Sequence, residues 1–173
     1  QHVTSEVTVT TIPDPNELIR AKVERARDYI DTFGWKVFVL GRDKTPLPNC
    51  SRCRGEDWTH DRENCECLTC HGFYAATTQP EQFSEWMELH PDCTLIAVPT
   101  GSETGIFVME YDPKNGGQES FDRLMQEHDP IETETNRSPS GGLHFVFQMP
   151  NFDFGNIHGK LWTGIDIKAI GGL

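Results

Sequence analysis

Gly105-Ile-Phe-Val-Met-Glu-Tyr-Asp112 is the stretch on which the reading of this chain turns. Its apolar run, opened by a glycine and closed by Pro113, has the length and composition of a buried strand. Two carboxylates stand at its end. Residues two apart on a strand share a face, so Glu110 and Asp112 point one way and Met109 and Tyr111 the other. A carboxylate in a strand core is costly unless something cationic neutralises it. Gly164-Ile-Asp-Ile-Lys168 repeats the theme, with Asp166 and Lys168 on one face and Ile165 and Ile167 turned to the core. If these strands lie close, three carboxylates converge into a donor set for a hard cation, magnesium or manganese. Metal-assisted phosphoryl or nucleotidyl transfer is the chemistry this predicts. A plainer reading stands beside it. Glu110 pairs with an arginine, Asp112 caps the loop that follows, and Asp166 and Lys168 form an exposed ion pair worth little.

Between the two strands lies Ser140-Gly-Gly-Leu-His144. Gly141 and Gly142 let the backbone approach a ligand closely and offer N–H groups to an anion. His144, entering a strand directly after that turn, is placed to donate to a phosphate oxygen; a histidine at a strand start is also an ordinary satisfied polar residue.

The rest of the chain supplies helices and further strands. Asp14-Pro15 reads as a helix N-terminus, Ile19, Val23, Ala26, Ile30 and Phe33 form a helical stripe, and Gly34 ends it. Trp35 to Leu40 reads as a strand and Gly41 to Pro48 as a polar turn carrying Arg42 and Lys44. Pro80 opens a second helix with Phe83, Trp86, Met87 and His90 on one side. Thr94 to Pro99 reads as a strand, Gln118 to His128 as a helix, Glu132 to Arg137 and Leu143 to Met149 as strands, and Asn151 to Gly159 as a loop. Residues 1–13 are a tail or an edge strand. The pattern predicts an α+β fold, a mixed β-sheet flanked by helices, in one catalytic domain over residues 14–173 with a small zinc-binding insert at 48–72.

That insert has almost no hydrophobic periodicity and needs a staple other than apolar burial. Five of the six cysteines fall there, four of them in two similar segments, Cys50-Ser-Arg-Cys53-Arg-Gly55 and Cys67-Leu-Thr-Cys70-His-Gly72. Two such knuckles, Cys50 with Cys53 and Cys67 with Cys70, make a tetrahedral thiolate site for structural zinc. His60 and Cys65 belong to an alternative set, with Cys50 and Cys53, of finger-like spacing. Cys93 stands alone and reads as a small core residue.

The chain of 173 residues carries a formal net charge of −12, so its bulk field does not attract nucleic acid. The charge is uneven. Residues 20–62 hold ten Lys/Arg against seven Asp/Glu, and residues 81–134 hold thirteen Asp/Glu against two Lys/Arg. Arg42, Lys44, Arg52 and Arg54 are therefore candidates for template contact. No apolar run reaches membrane-spanning length and no secretory signal pattern is present, which predicts a cytoplasmic protein. The chain opens on Gln1 and stops at Leu173, and reads as a fragment of something longer.

As an ordered set, Gly34-Trp-Lys-Val-Phe38, His71-Gly-Phe-Tyr-Ala-Ala-Thr-Thr-Gln-Pro80, Val98-Pro-Thr-Gly101, Gly105 to Gly117, Ser140 to His144 and Gly164 to Gly172 resemble the primase–polymerase (prim-pol) domain of phage and plasmid replication proteins, in the archaeo-eukaryotic primase superfamily. The resemblance implies that catalytic core fold and template-directed nucleotidyl transfer by two metal ions on Glu110, Asp112 and Asp166. It implies nucleotide phosphate contact through His144 and the Ser140 turn, with Lys168 beside them. It also implies DNA template and primer, dNTP or NTP substrates, a helicase domain fused or associated, and the cytoplasm of a bacterial host. Many relatives begin the acidic pair with Asp, where this chain has Glu110. Two other classes fit the same residues: a non-enzymatic zinc-stabilised nucleic-acid-binding module and a metal-dependent nuclease.

Overall fold

The computed structural model describes residues 14–47, 72–102, 104–138 and 140–172. The first helix, α1 (Pro15–Phe33), starts where the Asp14 carboxylate accepts the Asn16 N–H at 3.0 Å. It stops at Gly34, whose φ of 68° is available to glycine at no steric cost. There the N–H of Gly34 donates to Ile30 O at 2.9 Å, the 5→1 bond of an αL cap, and that of Trp35 donates to Tyr29 O at 3.3 Å. Ala26 is fully buried on the inner face of α1, with Ile19, Val23 and Ile30 packed around it. Phe33 departs from the stripe. It is 44% exposed and stacks on Trp35 at 4.3 Å between ring centroids.

β1 (Phe38–Gly41) and β2 (Cys93–Ala97) form a separate antiparallel pair, covered by α1 and α2 (Pro80–Leu89). Val37, Val39, Phe83 and Met87 are its largest fully buried side chains. Each such burial is worth about 1.5–3 kcal/mol relative to exposure. Cys93 is buried in this core, and burial pushes its thiol pKa up.

The larger sheet holds β3 (Ile106–Tyr111), β4 (Thr135–Arg137), β5 (Leu143–Gln148), β6 (Ile157–Trp162) and β7 (Ile165–Lys168), in the order β4-β5-β3-β7-β6. The fold is α+β, but the sheet is not mixed. Every pairing among its described strands is antiparallel, and the only parallel partner among the described residues is a lone bridge, Gly155 to Ile170. The reason lies in the hairpins. The helix α3 (Gly117–Glu127) carries the chain from β3 to β4, a route that would make a parallel pair if the two strands were neighbours. Instead β5 returns from β4 and lies between them.

The strand β6 corrects the loop expected over residues 151–159. It is an edge strand with mostly exposed side chains, so it lacks the apolar alternation by which a strand is read. Alternation along β3, β5 and β7 gives the sheet two unlike faces. The back face packs Met109, Tyr111, Phe145, Ile165 and Ile167 against Leu124 and Phe121 of α3. On the front, Ile106 and Val146 pack with Trp35, and Tyr29 and Val98 border them. The Tyr29 hydroxyl donates to Asn136 Oδ1 at 3.0 Å, tying α1 to the edge strand β4. Among the described residues no helix is long and apolar enough to cross a membrane.

Candidate active site

The apolar front of the sheet stops at Val108. Beyond it runs a polar row, one residue from each strand. Asn136 lies opposite His144, His144 opposite Glu110, Glu110 opposite Asp166, and Asp166 opposite His158. Directly opposed residues of antiparallel strands share a face, with side chains close enough to touch. Lys168, two residues along β7 from Asp166, leans into the row. Its Nζ stands 3.7 Å from Glu110 Oε2 and 3.7 Å from Asp166 Oδ2.

Glu110 is the electrostatic centre. Its carboxyl pKa is lowered from 4.5 to about 2, chiefly by the His144 side chain. Burial opposes this, and the charges of His144, Lys168 and Lys44 add to it. His144 Nε2 lies 3.4 Å from Glu110 Oε1, and this buried atom has no well-formed hydrogen bond. At 3.4 Å the contact is a long one, at the outer limit of hydrogen bonding. Lys44 reaches this field from the turn after β1. It is the non-glycine residue at positive φ among the described residues (65°), held by its N–H donating to Gly41 O at 3.0 Å. Arg42 sits on the same turn.

Asp112 takes another path. It follows β3, and its N–H donates to Gly164 O at 2.8 Å. Its carboxylate accepts from the Lys114 N–H at 2.9 Å and from Asn115 Nδ2 at 2.7 Å, capping a short 3₁₀ turn, Pro113–Asn115. In this arrangement both oxygens are engaged by the loop, away from the ammonium that joins Glu110 to Asp166. The loop is locked by close backbone packing. A Cβ on Gly117 would lie 2.5 Å from Asp112 O and 2.7 Å from Gly164 O.

The Ser140 turn is likewise closed on itself. The Gly141 N–H donates to Ser138 O at 3.0 Å and the Gly142 N–H to Ser138 Oγ at 3.0 Å, so neither points at an anion. Glycine at 142 serves close packing, since a Cβ there would stand 2.6 Å from Tyr111 O. Ser140 Oγ lies 2.9 Å from Ser138 Oγ, at an exposed position beside His144.

The structure therefore brings together Glu110, Asp166, Lys168 and His144, with Asp112 and the Ser140 turn at the same end of β3. Cys50, Cys53, His60, Cys65, Cys67 and Cys70, with Arg52 and Arg54, lie outside the described residues. His158 and Asn136 belong to the row without having been singled out in the sequence. For His158 a signal existed: a glycine inside a strand marks a bulge, and Gly159 follows it directly.

The donor set suits a hard divalent cation. Two carboxylates face each other across paired strands, and a lysine ammonium holds the position between them where positive charge is stabilised. Magnesium is commonly held by one or two carboxylates, completed by water and substrate phosphate. Among the described residues no preformed group of three or more His, Cys, Asp or Glu ligands is present.

Fold and row together define an α+β domain with an acidic and cationic site on the exposed part of an antiparallel sheet. The chain belongs to the Prim-Pol family, the bifunctional DNA primase/polymerase N-terminal domain, whose family model matches residues 26–173. Membership points to DNA primase/polymerase function and so to nucleotidyl transfer. No curated protein gives a match.

Proposed function

We propose that this chain is the template-directed primase/polymerase domain of a phage or plasmid replication protein, acting on a DNA template and primer with dNTP or NTP. The observation that carries the reading is the direct opposition of Glu110 and Asp166 on β3 and β7, bridged by the Lys168 ammonium, within a chain of the Prim-Pol family. A bound pair of magnesium or manganese ions supplies neutralisation of the triphosphate and acidification of the attacking hydroxyl. Glu110, Asp112 and Asp166 are the carboxylates that hold them. The low pKa of Glu110 keeps it ionised throughout the neutral range. For Asp112 to join, its oxygens leave Lys114 N and Asn115 Nδ2, a loop adjustment of one short turn. Lys168, whose ammonium lies between the two carboxylates, would contact substrate phosphate. His144 donates through Nε2 beside the Ser140 hydroxyl, while Gly141 and Gly142 shape the turn. Arg42 and Lys44 extend the positive surface toward the template.

The proposal extends to structural zinc on Cys50, Cys53, Cys67 and Cys70, with His60 and Cys65 as the alternative ligands, and to a helicase domain as partner in the cytoplasm of a bacterial host. Zinc content of the purified protein, near one ion per chain and lost in the Cys67→Ser variant, checks the first of these. The decisive experiment on function is incubation of the protein with end-labelled primer–template, nucleotides and manganese. A lengthened primer supports the reading. A shortened primer makes the chain a nuclease, and an unchanged one, with binding retained, makes it a nucleic-acid-binding module.

A further inference from the structure

The edge strand β6 contributes more than a boundary to the sheet. Its pairing with β7 is regular at Ile157 and His158, then shifts before Trp162. At the irregularity Gly159 adopts φ 55°, the left-handed conformation that glycine takes freely. Two groups are thereby aimed at one carboxylate. The Gly159 N–H donates to Asp166 Oδ1 at 2.7 Å, and His158 Nδ1 lies 3.4 Å from Asp166 Oδ2. The same Oδ2 faces Lys168 Nζ. Bulges that re-aim side chains are over-represented beside active sites, and outer partners that orient a ligating carboxylate hold it in the geometry its ion requires.

We infer that His158, with the Gly159 bulge, is a positioning residue that fixes the rotamer of Asp166 for cation binding. The inference rests on the reading of Asp166 as a metal carboxylate. In this role His158 donates its Nδ1 proton to Asp166 Oδ2 across the 3.4 Å contact, with its side chain 61% exposed. Losing an outer partner of this kind lowers metal affinity by about 10- to 100-fold. Asparagine places an amide N–H near the position of Nδ1, whereas glutamine reaches further, toward that of Nε2.

The test is calorimetric titration of the full chain with manganese, without nucleotide, alongside thermal unfolding. His158→Ala is expected to weaken the sites formed by Glu110 and Asp166 by about 10-fold or more, His158→Asn to recover most of that loss, and His158→Gln little of it. Thermal midpoints are expected to stay together. In the wild-type protein, the ring nitrogen shifts of His158 by NMR should report the Nδ1–H tautomer. Manganese affinity unchanged in His158→Ala, or an Nε2–H tautomer, overturns the inference. If Asp166→Asn loses manganese while His158→Ala does not, the site reading survives and the role of His158 falls. If Asp166→Asn binds manganese as the wild type does, both fall.

Discussion

Replacing His144 by alanine removes the largest influence on the charge of Glu110. In the intact protein that carboxyl is held at about 2 against an ordinary value of 4.5. At about 1.36 kcal/mol per pH unit, the gap corresponds to roughly 3 kcal/mol favouring the ionised form. The Glu110 side chain keeps 26% of its surface exposed, and solvent screening reduces the figure to about 1–2 kcal/mol. Lys168 and Lys44 remain in the variant, so the carboxyl rises only part of the way, by about one pH unit or more. The assay is a carbon NMR titration of the Glu110 carboxyl in chelator, run on both proteins. The sign for stability follows from the lowered value. The contribution is complete above pH 4.5 and is lost as pH falls toward 2. Urea unfolding should therefore show the variant weaker by about 1 kcal/mol at pH 5, a part of the whole, with the difference closing on acidification. A Glu110 midpoint still at about 2 in His144→Ala would refute the reasoning.

Three further substitutions, at two positions, test the loop around Asp112. Asp112→Ala should cost about 1 kcal/mol through the lost cap and should abolish primer extension. Asp112→Asn, which keeps an oxygen for the Lys114 N–H, should restore stability in chemical unfolding without restoring synthesis; extension retained by both variants would remove Asp112 from the site. Gly117→Ala forces a Cβ to within 2.5 Å of Asp112 O. It should lower the urea midpoint by an amount equivalent to about 1–3 kcal/mol, and an unchanged midpoint would show that the packing there is looser than described.

Much of the fold was written in local patterns. The caps of α1 at Asp14 and Gly34, the apolar runs of β3 and β7, and the buried faces of α2 and α3 follow from spacing and end signals alone. The opposition of Glu110 and Asp166 was readable as a possibility because both lie on apolar strands whose inner faces need one core. What was not legible depends on partners far along the chain. Strand order requires knowing that β5 returns between β3 and β4. The engagement of Asp112 depends on Lys114 and Asn115 competing for its oxygens and on Gly164 holding its N–H. The Tyr29–Asn136 bond joins residues 107 apart. β6 was hidden because an exposed edge strand has no apolar alternation to display, and without the strand the one signal for His158, the Gly159 that follows it, could not be read as a bulge.

The central claim is that Glu110 and Asp166, brought face to face by β3 and β7, carry nucleotidyl transfer. Single-turnover addition of one nucleotide to a primer by Asp166→Asn tests it most directly, with circular dichroism to confirm the fold. Incorporation below detection is expected in a natively folded variant. Incorporation at the wild-type rate would contradict it.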